Sequence, residues 1–145
     1  MSLFSALSVS ASGMAAQRTR AELLTENLAN SETTRTPDGG PYRRKDVVFE
    51  STDAGSTFGD LFRLEMDPQA TGVKVADVSV DQSEPDRRYM PGHPDADKDG
   101  YVAFPKINPA EDMVDLMGAT RNYEGNIAAI SAIKDMIQRS IDLMR

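Results

Sequence analysis

Two apolar stripes at heptad spacing, one at each end of the chain, constrain its architecture more than any other feature. From Pro109 onward, Met113, Leu116, Thr120, Tyr123, Ile127, Ile130, Lys134, Ile137, Ile141 and Met144 follow alternating steps of three and four residues, the spacing of a coiled-coil seam. A weaker version runs through Leu3, Leu7, Ser10, Met14, Gln17, Ala21, Leu24 and Leu28, beside the small residues Ala11, Gly13, Ala15 and Ala16. A terminal helix of about 37 residues would reach roughly 55 Å at about 1.5 Å per residue. That exceeds the width of a compact domain of this size, so such a helix must project or assemble. A globular enzyme breaks that length into shorter helices, whose mean is roughly 11 to 12 residues.

The start of the last helix is written plainly. Asn108 stands at the cap, Pro109 at the first helical position and Glu111 three residues after the cap, with Glu111 and Asp112 suited to the positive end of the helix dipole. The first helix runs from about Leu3 to about Asn30, where Ser31, Glu32, Thr33 and Thr34 replace the apolar pattern with side chains that compete for backbone hydrogen bonds. Between the helices the sequence reads as short strands and turns. Asp38-Gly39-Gly40-Pro41 is a turn and Val47-Val48-Phe49 a strand. Residues 51–60 are loop-like and placed as the mobile stretch. Val73, Val75, Val78 and Val80 alternate but slip by one residue at Ala76-Asp77, as a bulge would require. Arg88-Tyr89-Met90 and Tyr101-Val102-Ala103-Phe104 are placed to pair as a long-looped hairpin. The expected fold is α+β, with long N- and C-terminal helices forming a coiled-coil-like core around a small β-rich or irregular middle. The segments are 1–32, 33–108 and 109–145.

Composition sets what the middle can do. With 145 residues, no tryptophan and aromatics at 6%, it can bury only a small cluster around Phe49, Phe58, Phe62, Tyr89, Tyr101 and Phe104. The net charge of -7 and a single basic cluster, Arg43-Arg44-Lys45, argue against nucleic-acid binding. That cluster reads as solvated surface. The absence of cysteine removes disulfides, thiolate nucleophiles and cysteine metal sites. The amino terminus has no basic residue before Arg18 and is interrupted by serines, so it does not read as a cleaved secretory signal. No run approaches the roughly 18 apolar residues of a membrane span.

One motif points to a metal. Asp95-Ala96-Asp97-Lys98-Asp99-Gly100 matches the opening of an EF-hand loop, yet position twelve, which should be a bidentate carboxylate, is Lys106, and Pro91, Pro94 and Pro105 preclude the flanking helices. The EF-hand reading is therefore rejected and no metal site is expected: the segment reads as a turn whose aspartates accept backbone hydrogen bonds and whose Gly100 is left-handed. His93, between Gly92 and Pro94, reads as structural. The sequence carries no P-loop, Rossmann glycine pattern or nucleophile elbow, so neither an enzyme nor a cofactor or small-molecule substrate is expected.

Taken together, Asn27-Leu28-Ala29-Asn30 with Thr33-Thr34 and Gly39-Gly40-Pro41-Tyr42-Arg43-Arg44 resemble the amino-terminal signature of bacterial flagellar rod and hook proteins. Tyr89-Met90-Pro91-Gly92-His93-Pro94-Asp95-Ala96, Asp99-Gly100-Tyr101-Val102 and Asn108-Pro109 resemble the proximal-rod branch of that axial family, over almost the whole chain. The resemblance implies a structural subunit of the rod that crosses the periplasm. It would be delivered by the flagellar type III export apparatus and contact other rod subunits and the inner-membrane ring end of the basal body. It also implies terminal helices that pack within and between subunits. The interface candidates are Leu24, Asn27, Leu28, Asn30, Tyr123, Ile127, Ile130, Ile137 and Ile141. For the aliphatic positions an intramolecular helix pair is the competing assignment. For Asn27 and Asn30 it is capping and turn formation. A cytoplasmic helical-hairpin adaptor that does not polymerise has similar sequence features and stays open as the alternative. An amphipathic membrane-surface protein fits less well, since Glu124, Asp135 and Asp142 dilute any basic face.

Overall fold

The computed structural model describes residues 3–52 and 72–143. Helix α1 spans Leu3–Ala29 and helix α2 Pro109–Leu143. Among the described residues four strands lie between them: β1 (Lys45–Ser51), β2 (Val73–Val80), β3 (Asp86–Tyr89) and β4 (Tyr101–Phe104). This is the α+β arrangement expected. Phe58, Phe62, Met144 and most of the loop-like stretch 51–60 fall outside the described residues.

The helices pack on each other in opposite directions. Arg20 of α1 lies 3.9 Å from Asp115 of α2, while Gly13, nearer the start of α1, faces Asn126, farther along α2. Small residues allow the close approach. A Cβ at Gly13 would stand 3.1 Å from the Asn126 side chain, and Ala16 and Ala119 are almost fully buried. Pro109 starts α2 as read from the sequence. The Asn108 side chain accepts from the Ala110 N–H (3.2 Å), and its carbonyl accepts the first helical bond, from the Asp112 N–H.

The α2 stripe that packs on α1 is not quite the one the heptads named. Leu116, Tyr123, Ile130 and Ile137 are half-buried on it. The other members of the inner stripe are Asp112, Ala119, Asn126 and Ile133, each one residue before Met113, Thr120, Ile127 and Lys134. One residue is about 100° of helix rotation, so Met113 (51% exposed), Ile127 (43%) and Ile141 (50%) turn outward. The correction has a steric reason: α1 presents Gly13 and Ala16, and the small Ala119 admits that backbone where the stripe through Thr120 would hold it off.

The strands form two antiparallel ribbons. In the first, Val47 pairs with Val78 and Phe49 with Val75, and the register shifts between Val48 and Phe49. Ala76 is the extra residue, so the slip in valine spacing is a β-bulge within one eight-residue strand. The second ribbon runs from Asp86 opposite Phe104 to Tyr89 opposite Tyr101, the long-looped hairpin expected. Its alternation corrects the expected aromatic cluster. Val102 and Phe104 point inward and are buried, whereas Tyr101 (44% exposed) and its partner Tyr89 (66%) share the outer face, as a period of two demands. Their rings meet edge to face at 5.4 Å. Phe49, 37% exposed, belongs to the first ribbon rather than to this cluster.

Candidate assembly interface

A polar joint fastens the end of α1 to the first strand. Asn27 is completely buried. Its Nδ2 donates to the Lys45 carbonyl (2.8 Å), and its Oδ1 accepts from the Lys45 N–H (3.0 Å) and from the Tyr42 hydroxyl (3.0 Å). The side-chain amide thus pairs with Lys45 as a neighbouring β-strand would. Every polar atom of Asn27 has an internal partner, which is what burial requires. Burial pushes the Tyr42 hydroxyl up to about 12, and the negative charge of Glu26 adds to the effect. Lys45 lies over the Tyr42 ring, 5.6 Å from its centroid, and pairs with Glu26.

The next residue back ties the same strand to α2. Arg44 donates an Nη2 proton to Asp112 Oδ1 at 2.9 Å, with the Asp112 side chain 1% exposed. The contact is single rather than forked, since Arg44 Nε and Asp112 Oδ2 are buried without a hydrogen-bond partner. Burial raises the Asp112 carboxyl above its ordinary value, and the Arg44 charge opposes that shift. Composition read Arg43-Arg44-Lys45 as solvated surface, and Asp112 as a charge suited to the helix dipole. The structure separates the run: Arg43 is exposed, Arg44 and Lys45 are half-buried, and Asp112 is enclosed. No local signal marks Arg44 and Asp112 as partners, because 68 residues separate them.

The 91–100 loop makes a third tie. Asp95 accepts from the Thr34 hydroxyl (2.8 Å) and pairs with Arg35 (3.0 Å), pinning the turn after α1. His93 Nδ1 accepts from the Asp95 N–H, and its ring meets Phe104 edge to face. Asp97 Oδ1 accepts from the backbone N–H groups of Asp99 and Tyr101, both at 2.9 Å, and Gly100 has φ +80°. The loop is therefore an aspartate-organised turn. Among the described residues no group of three or more His, Asp or Glu is placed to hold a metal ion, and no helix is long and apolar enough to cross a membrane.

The interface candidates divide into two sets. Leu24 and Asn27 are buried inside the chain. Leu28 and Asn30 are half-buried at the end of α1, where Asn30 Nδ2 donates to the Glu26 carbonyl (2.9 Å) and its Oδ1 accepts from the Thr33 hydroxyl, a turn-forming arrangement. Tyr123, Ile130 and Ile137 are half-buried on the side of α2 turned to α1. Ile127 and Ile141 stand outside with Met113 and Met117, all more than 40% exposed. Residues 134–143 are exposed apart from the half-buried Ile137. The sequence reading missed Tyr42, Arg44 and Asp112.

Comparison with known proteins decides what this helix pair belongs to. The chain is 37% identical to the flagellar basal-body rod protein FlgC of Borreliella burgdorferi, with 100% of this chain and 99% of that protein aligned. It is 38% identical to FlgC of Bacillus subtilis, with 99% of each covered. This chain belongs to the FlgC family. FlgC of Salmonella typhimurium is 37% identical over 99% of this chain and 98% of its own length. The family model for the flagellar basal body rod FlgEFG protein C-terminal region matches residues 98–143, which run from the 91–100 loop through β4 and α2. In this FlgC-family chain that region carries Asp112, the inner stripe and the exposed outer residues Met113, Ile127 and Ile141 together.

Proposed function

We infer that the chain is a structural subunit of the bacterial flagellar basal-body rod, residing in the basal body and associating with other rod components. FlgC family membership across the full length supports this reading, and the cytoplasmic adaptor is not favoured. The observation that carries the mechanism is the double heptad of α2. Its inner stripe is filled by α1, and its outer stripe, with Met113, Ile127 and Ile141 exposed, has no partner within the described residues. Large apolar side chains aligned along one helix face gain roughly 1.5 to 3 kcal/mol each when buried, so neighbouring subunits have a reason to associate there. Ile127 and Ile141 are the candidates that face outward. Leu24 and Asn27 then serve the interface indirectly, by holding the joint that sets the helix pair, Tyr123, Ile130 and Ile137 flank the outer stripe on α2, and Leu28 and Asn30 stay at the end of α1, with Asn30 in the turn that follows it.

The rod so built spans the periplasm, with other rod subunits and the inner-membrane ring end as neighbours. Delivery goes through the flagellar type III export apparatus. The long terminal helices suit that route, because isolated helices are marginal until packed. The test is deletion of the coding region followed by cryo-electron tomography of basal bodies in intact cells. Rod density beyond the inner-membrane ring should vanish, return with the full chain, and not return with a chain truncated after Asn108. Intact rods and normal swimming in the deletion would overturn the reading.

A further inference from the structure

The two ends of α1 carry complementary features. At its start, Phe4 is 78% exposed and Leu3 37% exposed, and no charged side chain precedes Arg18. Near its end, a half-open groove of about 210 Å³ lies between α1, β1 and α2, with Leu23, Leu24, Val47 and Phe49 in its lining. For scale, a dry apolar cavity of roughly 150 Å³ accepts a benzene ring. The groove has room for a phenylalanine ring and part of a second side chain.

The charges around the groove select the occupant. Arg20 faces Asp115, Lys45 pairs with Glu26, and Asp46 lies 3.6 Å from Arg44. Arg20, Lys45, Asp46 and Asp115 make up half of the lining, but each already has an opposite charge beside it, so a charged ligand gains little and an uncharged side chain would meet the apolar half. The chain cannot fill the groove with its own Phe4. Positions 4 and 23 lie 19 residues apart on one helix, roughly 28 Å at about 1.5 Å per residue.

We propose that this groove receives the Phe4 side chain of a second copy of the chain, joining subunits head to tail along α1. The proposal rests on the reading of the chain as an assembling axial subunit and specifies one of its contacts. Donor and acceptor are different surfaces of the same molecule, so the contact is heterologous and each copy added presents the same groove, unfilled among the described residues, to the next. Contacts of that kind propagate into open helical assemblies unless the rotation closes them.

The test replaces Phe4 with the photoreactive residue 4-benzoylphenylalanine in the full chain, which keeps an apolar ring at that position. The purified, concentrated protein is irradiated as a mixture of isotopically light and heavy chains. The expected result is a ladder of multimers whose mixed-isotope adducts map to Leu23, Val47 or Phe49. Supplying an acceptor with Phe49→Ser, or separately Leu23→Asn, should cut the adducts by roughly tenfold, the factor that about 1.4 kcal/mol of lost contact produces. Circular dichroism would establish that each acceptor is folded. Monomer alone, adducts between two copies of residue 4, or adducts indifferent to both acceptor variants would each overturn the proposal. Loss of rod density in the deletion strain would still support the rod assignment, so the two can fail separately.

Discussion

At the scale of single residues, the joint between α1 and β1 depends on one amide. Replacing Asn27 with alanine leaves the Lys45 N–H and carbonyl and the Tyr42 hydroxyl without their buried partner. An orphaned buried donor or acceptor costs about 1 to 3 kcal/mol. Asn27→Ala should therefore lower unfolding stability by about 2 to 4 kcal/mol, read as a fall in the denaturant midpoint. A loss below about 0.5 kcal/mol, the range of an ordinary surface substitution, would show that the amide is not holding the strand. Tyr42 gives the same joint a pH signature. Its hydroxyl titrates near 12 in the folded chain and near 10 when unfolded. Between those values the unfolded chain loses the proton first, so stability falls as pH rises from about 10 to about 12, by about 2 to 3 kcal/mol. Below pH 10 this contribution is fully present. Tyr42→Phe should flatten that part of the profile relative to the parent chain, and equal slopes would refute the assignment.

At the scale of elements, α2 carries two overlapping heptads that share Leu116, Tyr123, Ile130 and Ile137. Ile133 is 7% exposed on the inner one and Ile127 43% exposed on the outer one. A buried charge without a partner is strongly unfavourable, so Ile133→Asp should cost about 3 kcal/mol or more in denaturant unfolding. Ile127→Asp should leave stability within about 0.5 kcal/mol while reducing rod incorporation and swimming. Ile130 is a poorer probe than either, because its half-buried position mixes folding with assembly. Normal swimming by a folded Ile127→Asp chain would remove the outer stripe from the interface. The same pair shows what was legible in the sequence. The end of α1, the capped start at Asn108, the bulge at Ala76 and the β3–β4 hairpin follow from local rules of period, cap and turn, and all are present. The choice of inner stripe is not local. It depends on Gly13 and Ala16 meeting Ala119 across the helix pair, and heptad spacing alone fits either phase. Arg44–Asp112 and Asn27–Lys45 were illegible for the same reason, since their partners are set by packing and not by spacing.

At the scale of the whole molecule, the two helices differ in length. Helix α1 has 27 residues and α2 has 35, roughly 40 and 52 Å at about 1.5 Å per residue. With Arg20 near Asp115 and Gly13 near Asn126, the antiparallel pairing places Leu3 close to the level of Lys134. The last turns of α2 therefore run past the described part of α1, with Met136 48%, Ile141 50% and Leu143 88% exposed. A helical segment without a packed face opens with little free energy, because most helical stability in proteins comes from tertiary burial. In the purified monomer, amides of residues 136–143 should exchange with solvent far faster than those of 112–130, where the inner stripe is covered. In isolated basal bodies the same amides should be protected, since the exposed Met136, Ile141 and Leu143 then have a neighbouring subunit to pack against. Rapid exchange persisting in the assembled rod would mean that the overhang is not an assembly element and that the outer stripe ends near Ile127. Protection already present in the monomer would mean that the overhang is stable without a neighbour, and assembly could not then be what orders it.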